Sequence, residues 1–218
     1  MKDGCDGPTT PGRFAGLYRL KPWYTRRLSF IVDHAVAHGI SPDVYTVIGL
    51  AAGTGAGVAI ASGSWPLAAA LLALRLAGAN LDGAVARAAR ADRPWGFVVN
   101  EIGDRAADLA MFGGLTAWAA SQRFPAVHGI CVPVAAMLIA AAAATLPTFA
   151  SLAVTAAGGG SRRNGGPFGK TERCVAAVVA TAWPAAIVWV AALIIVGSVT
   201  TAAMRLAAGR RELLGAPA

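Results

Sequence analysis

Asp82, Asn100, Asp104 and Asp108 are the residues of this chain best suited to chemistry. The last three are spaced four apart, so on one helix they share a face. Glu101 sits beside them, and Asp82 lies near the cytoplasmic end of the preceding apolar stretch. Carboxylates this close repel one another unless a cation compensates. Oxygen donors from two neighbouring helices suit Mg2+ or Mn2+, as one ion or two. Structural pairing with Arg87 or Arg105 is the other use of the same acids. A diphosphate bound through such an ion has its charge neutralised and its phosphorus made electrophilic. Gly83 and Gly96 carry no side chain to obstruct a phosphate. Arg87, a helical turn and a residue beyond Asp82, is placed to meet phosphate oxygens.

The elements that must position these acids lie in a membrane. Of 218 residues, 56% are hydrophobic and only 14% charged, with mean hydropathy +0.57. A soluble domain carries roughly 25% charged residues. No Asp, Glu, Lys or Arg occurs over 44–74 or 174–204, and over 109–161 the only one is Arg123. The net charge of +8 sits in the gaps between these stretches. That placement fits cytoplasmic loops at a membrane surface and argues against nucleic-acid binding. Three scattered cysteines make no disulfide framework, and three scattered histidines make no convincing zinc site.

Apolar runs over 44–61, 67–87, 96–120, 130–157 and 174–204 set the expected spans. The last is 31 residues long, and with its polar ends it has room for two short helices that turn near Trp183-Pro184. The expectation is therefore an all-α integral membrane protein, a bundle of six transmembrane helices. Both termini lie in the cytoplasm, because an even count puts every basic gap on one side. Residues 1–20 read as a flexible tail and 21–40 as an interfacial amphipathic helix. The catalytic membrane domain spans 41–210, and 211–218 form a second tail. The first 43 residues are too polar for a cleavable signal peptide. Gly49, Gly53 and Gly57 give two overlapping G-x-x-x-G steps, which permit close helix approach and homodimerisation.

Asp82-Gly83-Ala84-Val85-Ala86-Arg87, then eight residues to Gly96, then Asn100 and Asp104, form one spaced pattern. This pattern resembles the signature of the CDP-alcohol phosphatidyltransferase family, D-x2-D-G-x2-A-R-x8-G-x3-D-x3-D. The chain departs from it at two of the four aspartates, where Ala79 and Asn100 stand. It therefore looks like a divergent member. The resemblance implies metal-dependent transfer of a phosphatidyl or related phospho-alcohol group. The donor is a CDP-linked lipid such as CDP-diacylglycerol, the acceptor is a hydroxyl compound, and CMP leaves. In the family the four carboxylates bind two divalent metals, and the last is proposed as the base. Carried over, Asp82, Asn100, Asp104 and Asp108 are candidate metal ligands, and Asp104 is also the base. Asp82, Gly83, Ala86, Arg87 and Gly96 would bind the CDP moiety.

Arg162, Arg163, Lys170 and Arg173 crowd one loop, and with Arg105 they suit a phosphorylated polyol acceptor. Plain positive-inside topology explains the same charges. The G-x-G-K-T in this loop lacks both the spacing of a nucleotide loop and a preceding strand. A catalytically inactive relative and a membrane transporter are the competing readings. A prokaryotic plasma membrane is the expected location.

Overall fold

The computed structural model describes residues 27–91, 93–122, 124–126, 128–159 and 165–215. Seven α-helices occur among them: α1 (Ser29–Ala37), α2 (Pro42–Ala61), α3 (Trp65–Ala88), α4 (Pro94–Ser121), α5 (Val132–Ala156), α6 (Lys170–Ala182) and α7 (Ile187–Leu213). Prolines mark several starts. Pro42 opens α2, and the Ser41 side chain accepts a hydrogen bond from the Asp43 N–H at 3.3 Å. Proline also falls in the first turn of α3, α4 and α5, where its missing N–H costs nothing. A short 3-10 turn over Pro184–Ala186 separates α6 from α7, at the expected Trp183-Pro184 break.

The expectation of six transmembrane helices is corrected. Among the described residues, four helical segments are long and apolar enough to cross a membrane: Pro42–Ala61, Trp65–Ala88, Val132–Ala156 and Pro184–Leu213. Helix α4 is longer, at 28 residues, but carries Glu101, Asp104, Arg105 and Asp108 up to about its midpoint. Helix α6 has 13 residues, about 20 Å at a rise of 1.5 Å, against a hydrocarbon core of about 30 Å. Counting apolar runs overestimated the spans because it ignored both limits. Four such helices still make this an integral membrane protein.

Helix α2 packs against both α3 and α4, and small residues set the spacing. A Cβ on Gly57 would overlap the Ala110 carbonyl oxygen, and one on Gly114 would overlap that of Gly57. On the other side, a Cβ on Gly78 would fall 2.7 Å from the Tyr45 carbonyl oxygen and 2.9 Å from Gly49 Cα. Lipid gives little hydrophobic drive between helices, so close backbone packing has to supply the attraction. The three helices that carry the acidic residues and their neighbours are thereby held in fixed register.

Helix α5 packs along α7. Proline 147 lies within α5, and Arg205 of α7 donates from Nη1 to the Pro147 carbonyl at 2.8 Å and to Ser151 Oγ at 3.1 Å. The main core runs through α2 to α7, with Ile60, Leu72, Met111, Leu115, Met137 and Ile194 almost fully enclosed. A second cluster joins Val32 and Ala35 of α1 to Leu81 and Val85 of α3. Helix α1 thus lies on the end of α3 that bears Asp82.

Candidate active site

Three helices meet at one small pocket. Helix α3 contributes Arg75, Ala79 and Asp82, positions that follow one another along a single face. Helix α4 contributes Asn100, Gly103, Asp104 and Ala107, and α2 contributes Thr46, Gly49 and Leu50. The structure therefore brings Asp82, Asn100 and Asp104 together, although they come from two helices.

Asp82 is 6% exposed. Its Oδ2 accepts a hydrogen bond from Thr46 Oγ1 at 3.3 Å, and its Oδ1 accepts from the Gly83 N–H at 2.5 Å. Among the described residues no cation forms an ion pair with it. A buried carboxylate without a direct ion pair is costly at membrane depth. Asp104 does have a partner: Lys170 Nζ lies 2.5 Å from its Oδ2. Lys170 is the first residue of α6, and the Glu172 carboxylate fixes that helix start by accepting the Gly169 N–H at 2.8 Å.

Asp108 sits one turn further along α4 and does not line the pocket. Both its oxygens are engaged by guanidinium groups. Arg75 Nη2 reaches Oδ1 at 2.7 Å, and Arg173 Nη2 and Arg105 Nη1 reach Oδ2 at 2.9 and 3.1 Å. Arg105 also lies 3.6 Å from Glu101. Arg75 donates a further hydrogen bond to the Asp104 carbonyl at 3.2 Å. Sequence reasoning missed Arg75, although an arginine inside an apolar span was itself a signal that it needed an anion. It missed Thr46 as well, whose sequence gave only a hydroxyl in an apolar helix.

Of the other candidate residues, Arg87 is exposed, and its guanidinium folds back over Gly83. A Cβ there would sit 3.1 Å from Arg87 Nη1. Ala86 lies beside it at the end of α3, and Gly96 lies in the first turn of α4 with its Cβ space open. Arg162 and Arg163 fall outside the described residues. Of the basic residues expected at the acceptor, Lys170, Arg173 and Arg105 all reach acids of α4.

The donor set can be tested against a divalent ion. Among the described residues no group of three His, Cys, Asp or Glu side chains converges on one point. The pocket offers two carboxylates, Asp82 and Asp104, and the Asn100 carboxamide oxygen. Magnesium is commonly held by one or two carboxylates plus substrate phosphates. These residues fit one such ion.

No family model matches the chain, and no curated protein does. Solved structures do match it. Phosphatidylinositol phosphate synthase from Mycobacterium tuberculosis, with CDP-DAG bound, superposes with a TM-score of 0.70 at 25% identity, over 84% of this chain and 94% of that one. The chain is similar to that synthase in fold over most of its length. The synthase in complex with manganese and citrate matches with a TM-score of 0.68 at 26% identity, over 83% and 87%. The apo synthase matches with a TM-score of 0.65 at 26% identity, over 81% and 93%.

Proposed function

We propose that this chain transfers a phosphatidyl or related phospho-alcohol group from a CDP-linked lipid, CDP-diacylglycerol first among them, to a hydroxyl acceptor, with release of CMP. One observation carries the reading: Asp82 is buried without an ion-pair partner among the described residues and lines the same pocket as Asp104. The similar synthase holds CDP-DAG in one structure and manganese in another, which supports the reading.

Asp82, Asp104 and Asn100 are the residues that would hold a magnesium or manganese ion. When bound, such an ion neutralises the diphosphate and makes its phosphorus more electrophilic. Arg87 and Gly83 sit in the last turns of α3, where the exposed Arg87 guanidinium can receive phosphate oxygens. Asp104 Oδ2 is taken by Lys170, which leaves Oδ1 to accept the proton of the acceptor hydroxyl. The hydroxyl oxygen then bonds to the β-phosphorus. The bond from that phosphorus to the bridging oxygen breaks, and CMP departs with that oxygen. Asp108, held by three guanidinium groups, serves to anchor α3 and α6 to α4.

The acceptor is a polyol phosphate in this reading, and the basic start of α6 supports it. Both termini lie on the cytoplasmic side with the basic gaps, and the protein forms a homodimer. The purified protein should release CMP from CDP-diacylglycerol with a suitable acceptor and a divalent ion. Chelation should stop release, and Asp104→Asn should abolish it. Release that ignores both chelation and this substitution would overturn the mechanism. Arg163→Ala should raise the acceptor KM and leave kcat unchanged; an unchanged KM assigns that arginine to topology alone.

A further inference from the structure

The pocket is poorer in negative charge than two divalent ions require. Of its lining residues, only Asp82 and Asp104 are acidic, and Arg75 contributes a positive charge. Ala79 and Asn100 are neutral. Lys170 then places an ammonium 2.5 Å from Asp104 Oδ2. The approach is not a chance of a long side chain. Lys170 and Arg173 are three apart on α6, and Asp104 and Asp108 are four apart on α4. The two helices therefore meet as a pair of matched ionic rungs, the second at 2.9 Å. The Glu172 cap on Gly169 and the burial of Arg173 hold Lys170 in place.

We infer that the site binds a single divalent ion, and that the Lys170 ammonium supplies the positive charge that a second ion would otherwise bring to Asp104. The inference rests on the transferase reading for its purpose, but its geometry is independent of turnover. A fixed ammonium is a compact point charge that offers no coordination sites. It offsets the Asp104 charge without demanding the oxygens absent at Ala79 and Asn100.

The test counts ions in the full chain purified in detergent, with Mn2+ alone as probe, by equilibrium dialysis and by the paramagnetic resonance of free Mn2+. One Mn2+ per chain is expected. Lys170→Met should tighten Mn2+ binding about tenfold with the count still one, because the missing carboxylates are still missing. Lys170→Arg should keep the parent affinity. Lys170→Met combined with Ala79→Asp and Asn100→Asp should bind two. Two ions or none in the parent chain, or a Lys170→Met chain with parent affinity, would overturn the inference. The single Lys170 variants keep the test decisive if the triple variant fails to fold. CMP release is measured separately on the same samples. One bound ion without CMP release upholds the inference and defeats the transferase reading. Two bound ions with release do the reverse.

Discussion

Arg75 of α3 donates to Asp108 of α4 across 2.7 Å, with side chains only 1% and 7% exposed. Arg173 joins the same carboxylate from α6, so one acid ties three helices together. Removing one partner of a buried pair strands the others, which costs about 3–5 kcal/mol. Asp108→Asn should therefore lower the thermal midpoint sharply in detergent. Asp104→Asn, which breaks a more exposed ion pair with Lys170, should lower that midpoint less and abolish CMP release. Equal midpoint losses in both variants would contradict the division of labour between these two acids.

Neighbouring glycines on α4 make an internal comparison. A Cβ on Gly114 would strike the Gly57 carbonyl oxygen, whereas one on Gly113 meets nothing within 4 Å. Backbone cannot yield as a flexible side chain can, so Gly114→Ala should cost about 1–3 kcal/mol through forced separation of α2 from α4. Gly113→Ala should be neutral or slightly stabilising, since alanine suits a helix better by up to about 1 kcal/mol. Thermal unfolding of the two variants side by side would show the contrast.

Thr46 Oγ1 holds Asp82 at 3.3 Å from the facing helix. Thr46→Val keeps the shape and removes the donor. The loss of one hydrogen bond of about 1 kcal/mol corresponds to roughly fivefold weaker Mn2+ binding. Thr46→Ser should restore most of it. A manganese titration of both variants measures the effect, and equal affinity in Thr46→Val would remove this threonine from the site.

Arg93 donates to both oxygens of Asp43, at 3.0 and 2.8 Å, but both side chains are more than half exposed. Solvent and salt screen such a pair, so its loss should matter by less than about 1 kcal/mol. Asp43→Asn should shift the thermal midpoint very little, and less still at high salt. A large shift would mean that this pair fastens the start of α2 to the start of α4.

The sequence made the helix positions readable because charge and proline interrupt apolar runs in this chain. Gly63-Ser64-Trp65-Pro66 lies at the turn between α2 and α3, and Pro184 begins the break before α7. Run length misled where composition and geometry part company: α4 is long but charged, and α6 is short with a charged first turn. The juxtaposition of Asp82, Asn100 and Asp104 could be inferred, because local spacing sets which face of a helix each occupies. The division between Asp104 and Asp108 could not. It depends on Arg75, 33 residues before Asp108, and on Arg173, 65 residues after it. Pairing over such separations is decided by packing in space, and spacing along the chain carries no trace of it.

The two ionic rungs between α4 and α6 also separate two problems for natural selection. The position of α6 relative to the acids is pinned by Lys170 and Arg173 themselves. The residues between α5 and α6 need not set that position by their length. The ionic rungs, and not the length of the connection alone, then hold the start of α6 against α4.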